Sequence, residues 1–226
     1  MLAPLKSQFM LDPDIHYLNH GSFGACPREV FEDYQSWQRI LEKNPIDYFT
    51  RQLKGLFGKE ASGPLEIARR DLAQFVNADA EGMIFTPNVT IALNAIANSF
   101  QLNAHDEVLT TDHEYGTILA TWERKCASTG AHLKKVKISL PVTTHQTFVD
   151  QFMAQVSSRT KVILLSHITS ATALVLPVKE ICEQARKRGI TTVIDGAHAV
   201  GHLDLDVLDL DADFYTSNCH KWLLTP

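Results

Sequence analysis

The pattern of apolar and polar residues along this chain changes at about residue 80. In the later part, short β-rich runs are separated by longer stretches with helical periodicity. The predicted strands are 82–86, 107–111, 132–138, 161–166, 191–195 and 213–216. The predicted helices between them are 89–100, 115–128, 148–156 and 178–188. Strands that alternate with helices of this length predict βαβ units and a mainly parallel sheet with helices on both faces.

The fold class predicted from this pattern is α/β, a three-layer α/β/α sandwich. The run 161–166 (KVILLS) is apolar through its centre, as expected for a strand that is covered on both faces. The stretch 178–188 is amphipathic, and Gly189 directly after it is a typical signal for the end of a helix.

The first 80 residues follow another pattern. A loop with two glycines, Tyr17–Cys26 (YLNHGSFGAC), precedes helical patterns at 28–42, 45–56 and 64–76. We therefore predict an N-terminal loop and helical segment over 1–80 and a sheet-bearing large domain over 81–226. The chain ends at Pro226 without a closing strand or helix, so we expect a fragment whose small C-terminal domain is absent.

Composition and charge exclude several classes of function. The chain is 45% hydrophobic and 21% charged with a formal net charge of −5, and a nucleic-acid partner usually requires a concentrated basic face. No apolar run approaches the roughly 20 residues that cross a bilayer, and the N-terminus lacks the apolar stretch of a secretory signal. The four cysteines and ten histidines are scattered, which fits neither a disulfide framework nor a metal site. We expect a cytoplasmic protein with reduced thiols and no membrane or nucleic-acid partner.

Polar residues follow four of the predicted strands, where ligands of open α/β sheets bind. These segments are PNVT after 82–86, DHEY after 107–111, GAH after 191–195 and SNCHK after 213–216. Asp195 ends an apolar strand, and Lys221 lies 26 residues later, behind a strand that could neighbour it.

These residue types match the requirements of pyridoxal phosphate (PLP). The cofactor needs a lysine amine for its aldehyde, a buried carboxylate beside its pyridine nitrogen, a flat partner for its ring, and donors for its phosphate. Taken singly, Asp195 could be a helix cap, Lys221 a surface lysine and His113 a loop histidine. Their joint occurrence at successive strand ends favours the cofactor.

Five segments resemble class V aminotransferases of PLP fold type I, in particular the isopenicillin N epimerase-like branch. They are TPNVTIALNAIA, TDHEYG, SHITSATALVLPV, VIDGAHAVG and FYTSNCHKWL, and the opening YLNHGSFGACP is similar as well. The resemblance runs from about Tyr17 to Pro226. It implies the large domain of that fold, PLP as the cofactor, a small amino acid as the substrate and a homodimer at full length.

The resemblance also implies roles for single residues. Lys221 would form the Schiff base with the cofactor and act as the base, Asp195 would pair with the pyridinium nitrogen, and His113 would stack on the ring. His198 would donate a hydrogen bond to the phenolic oxygen. The other cofactor contacts would come from Asn88, Val89, Thr90, Thr172, Ser217, Asn218 and His220.

Some expectations stay open at this point. Related desulfurases carry a serine three residues before the lysine, where this chain has Asn218 with Ser217 beside it, so either side chain could reach the phosphate. Ser170 replaces an asparagine of many relatives, and Thr172 could compensate for it. Epimerisation, transamination and β-elimination share the fold and the cofactor, so the reaction stays undetermined. The alternatives are a cysteine desulfurase or cysteine–sulfur lyase, and an inactive fragment that serves as an interaction module.

Overall fold

The computed structural model describes residues 5–52, 63–142 and 144–226. The described residues form two compact units. One unit contains the residues up to Phe85 together with Gly201–Leu205 and Cys219–Pro226, and the other contains Thr86–Val200 and Asp206–Asn218. The predicted division into 1–80 and 81–226 stays a prediction.

The second unit is built on a five-stranded sheet in which all neighbouring strands are parallel. Its strands are β1 (Glu107–Thr111), β2 (His132–Val136), β3 (Thr160–Ser166), β4 (Thr191–Asp195) and β5 (Phe214–Thr216). Their order in the sheet is β2-β1-β3-β4-β5, so β4 and β5 are neighbours as expected. The strand order reverses between β1 and β3, which is the type of position where open α/β sheets bind ligands.

Helices of the second unit cover both faces of this sheet. They are α4 (Val89–Ser99), α5 (Gly116–Thr129), α6 (His145–Met153), α7 (Val178–Arg186) and the short α8 (Val207–Leu210). One buried cluster joins α4 and α5 to Val162 and Leu164 of β3, and the other joins α6 and α7 to Ile163 and Leu165. Successive side chains of a strand point to opposite faces, so one strand contributes to two cores. The predicted three-layer α/β/α fold is confirmed.

The first unit is mainly helical. Its helices are a 3₁₀ helix at Leu5–Gln8, α1 (Arg28–Lys43), α2 (Pro45–Asp47), a π-helical turn at Tyr48–Gln52, α3 (Pro64–Phe75), a 3₁₀ helix at Ala80–Gly82 and α9 (Cys219–Trp222). The helices predicted at 28–42 and 64–76 are confirmed. Part of the helix predicted at 45–56 lies outside the described residues. No described helix is long and apolar enough to cross a membrane.

The strand predicted at 82–86 is wrong. Gly82 ends the second 3₁₀ helix, and Met83 is extended but belongs to no strand. An extended segment becomes a strand only when its backbone pairs with a neighbour, and among the described strands none pairs with this one. The side chain of Ile84, which a strand would have buried, is 79% exposed.

Candidate active site

The second unit places most of the predicted site residues at the carboxyl ends of its strands. His113 lies in the turn after β1, Asp195 is the last residue of β4, and His198 lies in the turn that follows. Ser217 and Asn218 come directly after β5. Because the strands are parallel, these ends share one edge of the sheet.

Asp195 is a buried carboxylate, with 4% of the residue exposed to solvent. Its Oδ1 accepts a hydrogen bond of 2.9 Å from the Ala197 N–H, in the turn after β4. In the sheet it pairs with Ser166 of β3 on one side and Thr216 of β5 on the other. A carboxylate at such a site requires polar or cationic partners, because burial without them is costly. Asp195 is therefore a buried carboxylate at the edge of the sheet where the carboxyl ends of the strands meet.

The imidazole of His113 is held by a residue from another loop. Its Nδ1 lies 2.9 Å from Oγ1 of Thr172, in the segment between β3 and α7. Thr172 Oγ1 lies 2.8 Å from Oγ1 of Thr169, so the hydroxyl that contacts the imidazole is itself fixed. The structure thus brings together two predicted cofactor residues that are far apart in the sequence.

The first turn of α4 is the predicted phosphate site. Asn88 caps this helix, since its Oδ1 accepts the Ile91 N–H at 3.0 Å. The Val89 N–H donates to Oδ1 of Asn218, also at 3.0 Å, in a buried contact. Thr90 lies between these two N–H groups and contributes a backbone N–H and a hydroxyl. Thr90 is thus in the first turn of a helix, where the backbone N–H groups favour an anion.

Ser217 and Asn218 each have a partner within the protein. Ser217 Oγ donates to the Gly196 carbonyl at 2.6 Å, which ties the segment after β5 to the turn after β4. Asn218 holds the start of α4 through Val89. Which of the two side chains contacts the phosphate stays open, and so does the role of Val89 there.

Glu114 is a buried residue of this region that the sequence did not single out. Its Oε1 accepts the Thr111 hydroxyl at 2.7 Å, and its Oε2 accepts the Ser166 N–H at 2.8 Å and the Ser166 hydroxyl at 2.5 Å. Burial, with a contribution from the charge of Asp195, raises the pKa of Glu114 to about 7. A glutamate next to a loop histidine gives no sequence signal of burial, because charged residues are mostly exposed.

Two further residues near Asp195 were also missed. Nδ1 of His167 lies 2.9 Å from the Tyr215 hydroxyl. Burial lowers the pKa of His167 to about 4, while burial and the Asp195 charge raise the pKa of Tyr215. Both side chains are therefore neutral near pH 7. Position 196, next to these side chains, requires a glycine, because a Cβ there would come within 2.5 Å of the Tyr215 ring.

Lys221 and His220 belong to α9 in the first unit. The Gly24 N–H donates to the His220 carbonyl at 2.8 Å, and a Cβ on Gly24 would come within 2.5 Å of that oxygen. A Cβ on Gly201 would meet the Trp222 carbonyl at the same distance. The backbone of α9 is therefore packed against two glycines, one of them in the loop Tyr17–Cys26.

Side chains of the first unit also pack around α9. The ring of Trp222 stacks on His202, with centroids 4.3 Å apart and planes at 25°. Burial, and then the charge of Lys221, lowers the pKa of His220. Burial raises the pKa of the Cys219 thiol, which disfavours the reactive thiolate. The expected proximity of the Lys221 amine to Asp195 stays a prediction.

Comparison with known proteins identifies the family. Residues 27–226 match the aminotransferase class-V family. The chain belongs to this family. The resemblance inferred from the motifs is thereby confirmed.

Curated relatives of this class-V chain include enzymes with different names. Isopenicillin N epimerase of Streptomyces clavuligerus is 37% identical over 221 residues, which are 98% of this chain and 54% of that protein. The probable chloroplastic L-cysteine desulfhydrase of Arabidopsis thaliana is 28% identical over 240 residues, with 99% and 49% covered. The chain spans about half the length of these relatives.

Solved structures share the fold of this class-V chain. The cystine C–S lyase C-DES, in complex with its reaction product cysteine persulfide, has a TM-score of 0.80 and 23% identity over 95% of this chain and 55% of its own. The cysteine desulfurase CsdA of Escherichia coli has a TM-score of 0.74 and 23% identity over 95% of this chain and 53% of its own. At this identity the likeness shows the fold alone.

Proposed function

We propose that this protein is a PLP-dependent enzyme that acts on an amino acid, with Lys221 as the residue that holds the cofactor. The observation that carries the proposal is the buried carboxylate of Asp195 at the end of β4, in a chain of the class-V family. A buried anion at a strand end fits the one cationic atom of PLP, its protonated ring nitrogen.

The other residues of the second unit fit the remaining parts of the cofactor. The imidazole of His113 offers a flat surface for the ring and is already oriented by Thr172. Thr90, at the N-terminus of α4, offers a backbone N–H and a hydroxyl to the phosphate. His198 lies in the turn that follows the Asp195 strand and would donate a hydrogen bond to the phenolic oxygen. These three residues would therefore supply partners for the ring, the phosphate and the phenolic oxygen of PLP.

When bound, PLP supplies an electron sink for the bond that breaks at the substrate α-carbon. Lys221 has two roles in this proposal. Its amine would hold the cofactor covalently, and the same amine would act as the base that takes the proton from the substrate α-carbon. Asp195 keeps the ring nitrogen protonated, because the negative charge favours the cationic form. The raised pKa of Cys219 leaves its thiol protonated, so we assign it no part in the chemistry.

We propose epimerisation of an amino-acid substrate as the leading reaction, since the isopenicillin N epimerases are 37% and 38% identical to this chain. The second candidate is cleavage of the C–S bond of a cysteine-like substrate. Its support is the set of L-cysteine desulfhydrase relatives, at 28% to 32% identity. Both reactions begin with removal of the α-proton, so the proposed role of Lys221 is common to them.

We further propose that the protein is a homodimer in the cytoplasm. The support for self-association is an apolar stripe on α1, a helix with no buried residue in the described structure. Val30, Tyr34, Trp37 and Ile40 repeat at helical spacing and are each 36% to 42% exposed. A second copy of the chain would cover these side chains.

A panel of amino acids tests the proposed function. The purified protein is mixed with PLP, and the visible absorbance of bound cofactor is recorded before each candidate substrate is added in D₂O. Exchange of the α-proton with inversion supports epimerisation, while release of sulfide supports C–S cleavage. Protein that binds PLP but exchanges no α-proton of any amino acid would contradict an enzymatic role, and the interaction-module alternative would then stand.

A further inference from the structure

The turn that carries His113 is anchored on both of its sides by carboxylates. Before the histidine, the Asp112 N–H donates to the Val136 carbonyl at 3.0 Å, and Asp112 Oδ1 accepts the Ile138 N–H at 2.9 Å. These contacts tie the turn to the segment at the end of β2. After the histidine, Glu114 ties the turn in the opposite direction, to β3.

The Glu114 side chain makes this second link with both of its carboxyl oxygens. Ser166 is the last residue of β3, and both its backbone N–H and its hydroxyl donate to Oε2 of Glu114. Oε1 accepts the hydroxyl of Thr111, the last residue of β1. The residue is 7% exposed, so the carboxyl group faces protein donors rather than the solvent.

The same network reaches the backbone of His113. The His113 N–H donates to Oγ1 of Thr111 at 3.2 Å, and this hydroxyl in turn donates to Glu114. A continuous path of hydrogen bonds therefore runs from the His113 amide through Thr111 and Glu114 to Ser166. Ser166 is the register partner of Asp195 on β4, so the path ends beside the other key residue of the proposed site.

We propose that Glu114 is a positioning residue, which fixes the His113 turn to the end of β3 and so sets the place of the imidazole relative to the Asp195 strand. Glu114 acts through His113 and not on a reacting atom, because its oxygens are engaged with Thr111 and Ser166. The benefit to cofactor binding rests on the function proposed above. The claim that Glu114 fixes the position of the His113 turn does not depend on any cofactor.

Amide hydrogen exchange in the cofactor-free protein tests the positional claim. Glu114→Ala removes the acceptor of the Ser166 N–H and the partner of Thr111, so we expect exchange at the Ser166 and His113 amides to accelerate about tenfold or more. Glu114→Gln keeps one acceptor oxygen and should stay within about threefold of the unchanged protein. Glu123→Ala is the matched control, because Glu123 is an exposed glutamate on α5 whose carboxylate contacts Lys135. Wild-type exchange at both amides in Glu114→Ala would overturn the proposal.

Thr111→Val provides a second test if Glu114→Ala does not fold. The substitution preserves shape in a strand but deletes the hydroxyl that joins His113 to Glu114. Faster exchange at the His113 amide, with the Ser166 amide unchanged, supports the path described above. An unchanged His113 amide would contradict it.

Titration with PLP then tests whether this positioning serves the cofactor. We expect Glu114→Ala to weaken PLP binding about tenfold, Glu114→Gln to bind within about threefold of the unchanged protein, and Glu123→Ala to bind normally. Unchanged PLP affinity in Glu114→Ala would contradict a role in cofactor binding. Failure of the unchanged protein to bind PLP would contradict the proposed function instead, and the exchange measurement would still decide the positional claim.

Discussion

Two buried residues beside Asp195 change their protonation on folding in opposite directions. Burial raises the pKa of Glu114 to about 7 and lowers the pKa of His167 to about 4. Both shifts favour the neutral form, as expected for groups that leave water. Glu114 faces Thr111 on β1 and Ser166 on β3, and the charge that acts on it is that of Asp195 on β4.

The two shifts contribute to stability with opposite dependence on pH. The stabilisation from the protonated form of Glu114 is complete below its unfolded pKa of about 4.5 and is lost as the pH rises through about 7. The stabilisation from His167 is complete above its unfolded pKa of about 6.5 and is lost as the pH falls through about 4. In the unchanged protein, the stabilisation from Glu114 decreases and that from His167 increases as the pH rises between about 4 and about 7.

Glu114→Gln should therefore change how the free energy of unfolding varies with pH. Without the titrating carboxyl, the variant should gain about 2 kcal/mol relative to the unchanged protein between pH 5 and pH 7. Urea denaturation of both proteins at the two pH values measures this difference. Glu123→Gln, at an exposed site, should show no such gain. Equal pH dependence in Glu114→Gln and the unchanged protein would contradict the assigned pKa.

Substitutions at the proposed site should differ in severity, with Asp195→Ala severe, His113→Ala intermediate and Cys219→Ala mild. Asp195→Ala should leave the cofactor attached but slow turnover by ~10²–10⁴, the usual loss when a group that controls proton transfer is removed. His113→Ala should weaken cofactor binding by about 1 kcal/mol through lost stacking. Cys219→Ala should be mild, because burial keeps its thiol protonated. Steady-state kinetics and PLP titration measure the series, and a Cys219→Ala defect as large as that of Asp195→Ala would favour a thiol mechanism.

Single residues of the site differ in how far the sequence could predict them. Asp195 was predictable as a buried strand end, because the β-rich run Thr191–Asp195 (TTVID) precedes a turn and the strand ends at that residue. Glu114 was not predictable. Its burial depends on Ser166, which lies 52 residues further along the chain, and no local pattern encodes that contact.

At the level of secondary-structure elements, the loop Tyr17–Cys26 and the helix α9 depend on each other. Gly24 lies so close to the backbone of α9 that a side chain has no space there, and backbone atoms yield less readily than side chains. Gly201 meets the same helix at Trp222. The loop is therefore a structural support of the segment that carries Lys221.

Gly24→Ala should separate this loop from α9. We expect the free energy of unfolding to fall by about 1–3 kcal/mol, the usual cost of overpacking, and PLP to dissociate faster. Thermal unfolding and absorbance of bound cofactor measure the two effects. Gly116→Ala is the matched control, because no atom lies within 4 Å of the position of its Cβ. Equal stability of Gly24→Ala and the unchanged protein would show that the loop tolerates displacement.

The elements themselves were predictable where periodicity was long enough. The strands β1 and β4 have the bounds predicted for them, 107–111 and 191–195. The helices α1 and α3 each differ from the prediction by one residue at the C-terminal end. The helices α8 and α9 have four residues each, too few to show a period. The strand expected at 82–86 failed because apolar composition cannot reveal whether a pairing partner exists.

For the whole molecule, alternation of strands and helices was sufficient to predict the layered parallel sheet. It did not determine the strand order β2-β1-β3-β4-β5, which depends on contacts between distant segments. The order is important for the proposed site, since it creates the reversal between β1 and β3 where His113 and Thr172 meet.

The apolar stripe on α1 predicts self-association. Trp37→Glu should weaken the proposed dimer by about tenfold or more, because it places a charge in an apolar contact. The Trp37→Glu chain should itself remain folded, since the Trp37 side chain is 39% exposed. Sedimentation equilibrium measures the change, with Gln38→Glu as a control beside the stripe. An unchanged protein that is monomeric at all concentrations would contradict the dimer.

The central claim is that Lys221 holds the cofactor, and borohydride reduction followed by peptide mass mapping tests it most directly. Reduction of the PLP-loaded protein should leave the cofactor on the peptide that contains Lys221. The label should be absent in Lys221→Ala and retained in Lys187→Ala, which changes an exposed lysine after α7. A label on a different lysine, or a label that persists in Lys221→Ala, would contradict the account.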